Sequence, residues 1–238
     1  MYEIEELRRI IDKAKRIVFF GGAGVSTESG IPDFRGTGGI YTGKDDPGTI
    51  LRTSYLLRNP EDFYRYYRQN MLYPSAMPNP AHFALAELEK TGKLTGVITQ
   101  NIDGLHQAAG SSNVFELHGS VHRNYCVRCG KQHSLDYILE TDGVPRCSAC
   151  GGLVRPDVVM FGESLDNNAF FGAQEAAYYA DVMIVGGTSL TVYPAASLVE
   201  EFAGDHLIII NKTPTPMDEN AEFVLRESIS EVLYRLIE

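Results

Sequence analysis

Four short, largely apolar runs constrain this chain most: Arg16–Phe20, Gly96–Thr99, Asp181–Val185 and His206–Ile210. None alternates apolar with polar residues. A strand with one wet face alternates, whereas a strand covered on both faces does not, and that is the habit of parallel sheets. Val114–Leu117 and Glu222–Leu225 are weaker strand candidates. Helical spacing fills the gaps between runs. Ile4, Leu7, Ile11 and Ala14 make one face. Asn79-Pro80 reads as an N-cap followed by the first helical residue, with Ala81, Ala84, Leu85 and Leu88 inward and Gly92 at the stop. A further helix ends at Tyr178 and Tyr179, Pro194–Phe202 suggests another, and Ser228–Ile237 closes the chain. Strand–helix alternation predicts an α/β fold, a doubly wound, Rossmann-like parallel sheet.

Two segments break the alternation. Residues 36–78 are rich in Tyr, Arg and Pro and hold no convincing strand, and residues 120–156 hold all four cysteines. The economical reading is one large domain from 1–35, 79–119 and 157–238. Into it are inserted a helical part (36–78) and a zinc-ribbon module (120–156), which together form a smaller lobe.

The cysteines stand as Cys126-Val-Arg-Cys129 and Cys147-Ser-Ala-Cys150, with 17 residues between the pairs. Two thiolates on each of two tight knuckles make a tetrahedral four-sulfur shell for one structural zinc. Paired disulfides or a redox C-x-x-C are the alternatives. His122 and His133 lie nearby and are read as surface residues. Thiols used this way fit a reducing compartment, so a cytoplasmic protein is expected.

The net charge of −10 argues against a nucleic-acid surface, which would show clusters of Lys and Arg. No apolar stretch approaches the ~20 residues of a membrane span, and the charged N-terminus lacks the apolar centre of a signal peptide.

The first strand runs into Gly21-Gly-Ala-Gly-Val-Ser-Thr-Glu-Ser-Gly30. Glycines there admit a pyrophosphate close to the backbone, and N–H groups at the start of a following helix would bind it. The dinucleotide fingerprint is incomplete: Thr27 stands where the third glycine belongs, and no acidic strand end follows. Nucleotide binding survives this and hydride transfer is disfavoured, while a plain tight turn remains the bland alternative. Thr99-Gln-Asn-Ile-Asp103 follows the second run, where polar residues line a ligand crevice or cap a short helix. His118-Gly119 closes a strand candidate, a position suited to acid–base chemistry. His82, His106 and His206 are read as structural. Gly186-Gly-Thr-Ser-Leu190 and Asn211-Lys-Thr213 end the last two strong runs.

Together with Ile31-Pro-Asp-Phe-Arg35 and Val159-Met-Phe-Gly-Glu163, these pieces occur in an order that resembles the sirtuin family of NAD-dependent protein deacylases. They span nearly the whole chain, which is similar to the compact prokaryotic members. The resemblance implies NAD as co-substrate, with Gly22, Ala23, Gly24 and Thr27 at its pyrophosphate. Phe34 and Arg35 would lie on a cofactor loop. Gln100, Asn101, Ile102 and Asp103 would sit around ribose and nicotinamide. Gly187, Thr188, Ser189, Asn211, Lys212 and Ile229 would hold the adenosine half. His118 is implied as general base, with Asn101 orienting ribose and water. Val159, Met160, Phe161, Gly162, Glu163 and Ser164 would pair with an acetylated peptide or protein. Tyr64 is the retained half of the Tyr-x-x-Arg pair that reads acidic acyl groups in one family branch. Tyr67 replaces its Arg, so acetyl and other neutral groups are expected, provided that Arg65 and Arg68 are not displaced by a register error. The implied products are free lysine, nicotinamide and O-acetyl-ADP-ribose. The alternatives are mono-ADP-ribosyl transfer from the same NAD site, or an NAD-binding scaffold. A monomer is expected.

Overall fold

The computed structural model describes residues 2–33 and 46–237. The chain begins with α1 (Tyr2–Lys13), β1 (Ile17–Gly21), α2 (Pro47–Ile50), α3 (Thr53–Arg58), α4 (Pro60–Asn70) and α5 (Pro80–Lys90). It continues through β2 (Leu94–Thr99), α6 (Leu105–Ala108), β3 (Val114–Glu116), β4 (Gly119–Cys126), β5 (Gln132–Ser134) and α7 (Leu135–Glu140). It ends with β6 (Val154–Val158), α8 (Asn167–Tyr178), β7 (Val182–Gly186), α9 (Ser197–Glu200), β8 (His206–Ile210), β9 (Phe223–Leu225) and α10 (Ile229–Ile237).

Six strands form one sheet in the order β3-β2-β1-β7-β8-β9, and every pair is parallel. Successive side chains leave opposite faces. Phe19, Ile184 and Ile208 therefore join Leu7, Leu85 and Val232 on one side. Val18, Phe20, Met183, Val185 and Ile209 join Ala173 and Ala177 of α8 on the other. Both faces are covered, which is why the runs do not alternate. Chain order reverses between β1 and β7, so a crevice opens above the carboxyl ends of these strands.

Asn79 caps α5 as expected, its side chain accepting from the Ala81 N–H at 3.0 Å. The reciprocal bond comes from His82, whose Nδ1 accepts the Asn79 N–H at 3.2 Å. The helix expected over Pro194–Phe202 is shorter. Ser197, Leu198 and Val199 donate to carbonyls three residues back, and the segment winds tightly, with only Ser197–Glu200 as α-helix.

The cysteine region forms a three-stranded antiparallel sheet, β5-β4-β6, with Cys126 opposite Val154 and Tyr125 opposite Arg155. A third apolar cluster joins Leu56, Phe63 and Tyr67 of the helical segment to Val121, Ile138 and Val154. Among the described residues no helix is long and apolar enough to cross a membrane.

Candidate active site

A cleft of about 1260 Å³ lies between the carboxyl ends of the parallel strands and the α4, β4 and α7 region. Its floor begins where β1 ends. Here the expected helix start is absent: two 3-10 turns, Ala23–Val25 and Thr27–Ser29, follow the strand. The Gly24 N–H donates to the Gly187 carbonyl at 2.8 Å, while Val25 and Ser26 donate back within the turn. Those amides are therefore committed, and the expectation that they bind phosphate is corrected. The glycines serve close approach instead. A Cβ on Gly24 would lie 2.7 Å from the Gly187 Cα, and Gly187 itself has φ +60°.

A buried polar chain crosses the floor. Asn101 Nδ2 donates to the Gly22 carbonyl and to Ser26 Oγ, each at 3.1 Å. Ser26 Oγ donates to Asp103 Oδ2 at 2.7 Å, and the Leu105 N–H donates to Asp103 Oδ1 at 2.9 Å. Asp103 thus serves the local turn and still lines the cleft, with lone pairs left for a ligand. Sequence reasoning did not single out Ser26, although it stands inside the glycine motif. Thr188 Oγ1 donates to Gln100 Oε1 at 2.8 Å, and among the described residues the buried Gln100 Nε2 has no hydrogen-bond partner.

His118 follows β3 and is half-buried at the cleft wall. Its Nδ1 lies 2.8 Å from the Gln100 carbonyl oxygen. A carbonyl only accepts, so Nδ1 carries the proton and Nε2 keeps a lone pair. Burial lowers the His118 pKa below its usual value, partly opposed by the Gln100 bond. The ring is therefore a neutral proton acceptor near pH 7.

Ala23, Thr27, Ile102, Ser189, Lys212 and Ile229 also line the cleft. So does Asn211, whose Nδ2 donates to the Thr213 carbonyl at 2.8 Å. Gly22 contributes its carbonyl from beneath. Phe34 and Arg35 lie outside the described residues.

Of the peptide-side residues, Val159, Met160, Phe161, Gly162 and Glu163 line the cleft, whereas Ser164 opens onto a smaller one of about 600 Å³. The Val159, Met160 and Phe161 N–H groups donate to the His118 carbonyl, the Glu163 carboxylate and the Leu51 carbonyl. Among the described residues the Val159 and Phe161 carbonyls accept nothing. Tyr64 is corrected: it is fully buried, its hydroxyl donates to the Val154 carbonyl, and it does not face the cleft. The face of α4 that does so carries Phe63, Tyr67 and Asn70, one helical position away. Val192 and Pro194 also line the cleft, and no sequence signal had marked them.

The four cysteine sulfurs all lie within 4.8 Å of one another, with Sγ–Sγ distances of 3.5, 3.6 and 3.4 Å for 126–150, 129–147 and 129–150. A zinc tetrahedron with bonds of about 2.3 Å has edges of about 3.8 Å, so the set fits one ion. The Arg128 and Ala149 N–H groups donate to Cys126 Sγ and Cys147 Sγ, as thiolate knuckles require. His133 is corrected from surface to interior: it is buried, with its ring tilted 37° against that of Tyr137 at 4.4 Å between centroids. His122 is exposed, with Nε2 on the Asp103 carbonyl at 2.9 Å.

A sequence model described as the Sir2 family matches residues 22–194. The chain belongs to the Sir2 family. Its Sir2 relatives include a protein of Clostridium perfringens named NAD-dependent protein deacetylase, 52% identical over 99% of both chains. One of the same name from Clostridium acetobutylicum is 49% identical over 99% of this chain and 98% of its own. A solved Sir2 structure with a deacetylated p53 peptide and 3'-O-acetyl ADP ribose superposes with a TM-score of 0.91 at 41% identity, covering 98% and 96% of the two chains. Another, with a p53 peptide and NAD+, gives 0.88 at 41% identity over the same shares.

Proposed function

We propose that this Sir2 chain removes acetyl groups from protein lysines with NAD as co-substrate, releasing nicotinamide, O-acetyl-ADP-ribose and free lysine. The observation that carries this reading is His118, held by the Gln100 carbonyl as a neutral base beside a glycine-lined crevice. NAD supplies an anomeric carbon with a leaving group and ribose hydroxyls that receive the acyl group. The orphaned Gln100 Nε2 and the close glycine contact suit a polar, planar cofactor. Ala23 and Thr27 would flank its pyrophosphate. Thr188, Ser189, Asn211, Lys212 and Ile229 would hold the adenosine half. Gln100, Asn101, Ile102 and Asp103 would hold the nicotinamide riboside. His118 Nε2, with its free lone pair, would take a proton from a ribose hydroxyl of bound NAD. The closed shell of Cys126, Cys129, Cys147 and Cys150 would hold zinc as structure and leave it no reacting position.

The Val159 and Phe161 carbonyls support backbone pairing with a peptide of little sequence preference. A neutral acyl group is supported by the α4 arginines. Arg65 pairs with Asp62 at the surface, while Arg68 donates to the Ile138 and Thr141 carbonyls, so neither serves the cleft. We take 36–78 and 120–156 as one small lobe, which the third apolar cluster supports. The same reading makes the chain a cytoplasmic monomer without a nucleic-acid partner, in keeping with its charge of −10.

The test follows acetyl- and succinyl-lysine peptides with NAD by mass spectrometry, for wild type and His118→Ala. The acetyl peptide should lose its group, and His118→Ala should be slower by about 10²–10⁴-fold. ADP-ribosyl mass on protein without deacylation would overturn the reading, and preference for succinyl would overturn the acyl assignment.

A further inference from the structure

One buried side chain outside the reacting centre has every donor assigned. Arg155 on β6 is 8% exposed. Its Nη1 donates to Glu163 Oε1 at 2.7 Å and Thr53 Oγ1 at 3.3 Å, and its Nη2 to Glu163 Oε2 at 2.9 Å and the Val158 carbonyl at 3.0 Å. Its Nε donates to the Pro156 carbonyl at 3.2 Å. A guanidinium has five N–H groups, and all five are used. The fork-to-fork pair with Glu163 is the strong, geometrically specific form of this interaction.

The other end of the pair is equally committed. Glu163 also accepts from Thr53 Oγ1 and from the Met160 N–H. Burial pushes its carboxyl up, but the bonds from Arg155, Thr53 and Met160 outweigh this and hold it at about 2. The ion pair therefore closes a loop from 155 to 163 and fixes the backbone between them, including the Val159 and Phe161 carbonyls. It also connects three parts of the fold. Arg155 stands opposite Tyr125, next to the Cys126–Val154 pair of the metal-binding sheet, and its guanidinium lies 5.6 Å from the Tyr125 ring. Thr53 brings in α3.

We propose that Arg155 is a positioning residue for the acyl-peptide substrate. Through Glu163 it holds the Val159–Gly162 backbone in the shape that pairs with the peptide, and it carries the geometry of the cysteine sheet into that segment. The inference rests on the reading that residues 159–163 hold the peptide. It goes further in assigning the shape of that segment to one ion pair rather than to the segment's own sequence. Neither partner touches the reacting atoms.

A purely structural pair would behave differently from a positioning one. Removing one partner strands a buried charge, whereas replacing both with apolar groups of similar size restores stability. The test therefore compares Arg155→Met, Arg155→Lys, Glu163→Gln and the double variant Arg155→Met with Glu163→Leu. Binding of a fluorescent acetyl-lysine peptide is read by anisotropy and ADP-ribose binding by calorimetry, alongside bound zinc and melting temperature. The double variant should melt near wild type and keep its zinc, yet bind peptide about tenfold more weakly, because the loop has lost its preorganisation. ADP-ribose affinity should stay within about twofold, since that side shares no partner with the pair. Arg155→Lys should fall between wild type and Arg155→Met. Wild-type peptide affinity in the double variant would overturn the proposal, and so would a parallel loss of ADP-ribose affinity. Isotope-edited infrared spectra of the protein with 13C-labelled Val159 and Phe161 carbonyls separate the underlying reading. If neither carbonyl band shifts when peptide binds the wild type, that reading fails. If both shift equally in the double variant, only the role of Arg155 fails.

Discussion

Lowering the pH from 7.5 to 5 should cost this chain about 4 kcal/mol of stability, through two histidines that do no chemistry. His82 on α5 and His106 on α6 are fully buried, with ring centroids 4.7 Å apart. The Asn79 N–H donates to His82 Nδ1, which places the ring proton on Nε2. Among the described residues neither His82 Nε2 nor either His106 nitrogen has a hydrogen-bond partner, so no hydrogen bond offsets the burial of a charge. Burial lowers His82 from 6.5 to about 4 despite the Asp103 carboxylate, and it lowers His106 to about 3 with help from His82. An unfolded chain at pH 5 has both imidazoles almost fully protonated, while the folded chain has neither. Because the folded values are depressed, stability is whole above 6.5 and is lost as pH falls from there towards 4. Each ring contributes about 2 kcal/mol over the interval, a large fraction of a typical 5–15 kcal/mol. The tightly held carboxylates act in a lower window, below their ordinary 4.5, so pH 5 isolates the histidines, and His118, which burial also lowers, adds to the loss in the same direction. Urea unfolding followed by circular dichroism at half-unit pH steps reads the slope. In His106→Leu the slope should fall by about half, whatever the variant's absolute stability. A free energy constant to about 1 kcal/mol from pH 7.5 to 5 would refute the reasoning.

Other expectations follow from single features of the site. A strong chelator should release one zinc, melt the antiparallel sheet of β4, β5 and β6, and abolish deacetylation. Circular dichroism with a colorimetric zinc assay checks this, and full activity in metal-free protein would contradict it. Gly187→Ala would force a Cβ to 2.4 Å from the Val25 nitrogen at φ +60°, costing about 3 kcal/mol or more; a wild-type melting temperature would sink this account of the turn. The acid limb of the peptide kcat/KM profile should lie below 6.5, because burial lowers His118 and the base must be neutral. An acid limb above 7 would mean that another group is the base.

Much of the fold was legible because its signals are periodic and local. Ile17, Val18, Phe19 and Phe20 read as a strand wet on neither face, and both apolar clusters draw on this strand. Asn79-Pro80 announced a helix start, and the two C-x-x-C pairs announced a metal site, because capping and knuckle geometry span only a few covalent neighbours. The failures are rotational or conformational. Tyr64 and Tyr67 are three positions apart on α4, and the sequence does not say which of them turns toward the cleft. The stretch after β1 winds as 3-10 turns because Gly24 must meet Gly187, 163 residues away. His133 reads as a surface histidine until the Tyr137 ring packs against it.

By itself, then, the sequence determined a parallel α/β sheet, a four-thiolate cluster, and which residues stand at the strand ends. Each of these follows from spacing along one short segment. Tertiary structure alone decided what those residues can do. The Gln100 carbonyl selects the His118 tautomer and so leaves a base, because β2 and β3 pair in parallel with Thr99 beside Glu116. Arg155 finds Glu163 only because the chain folds back after β6. A lone pair's direction and a charge's partner depend on which strands lie side by side, and no local pattern encodes that.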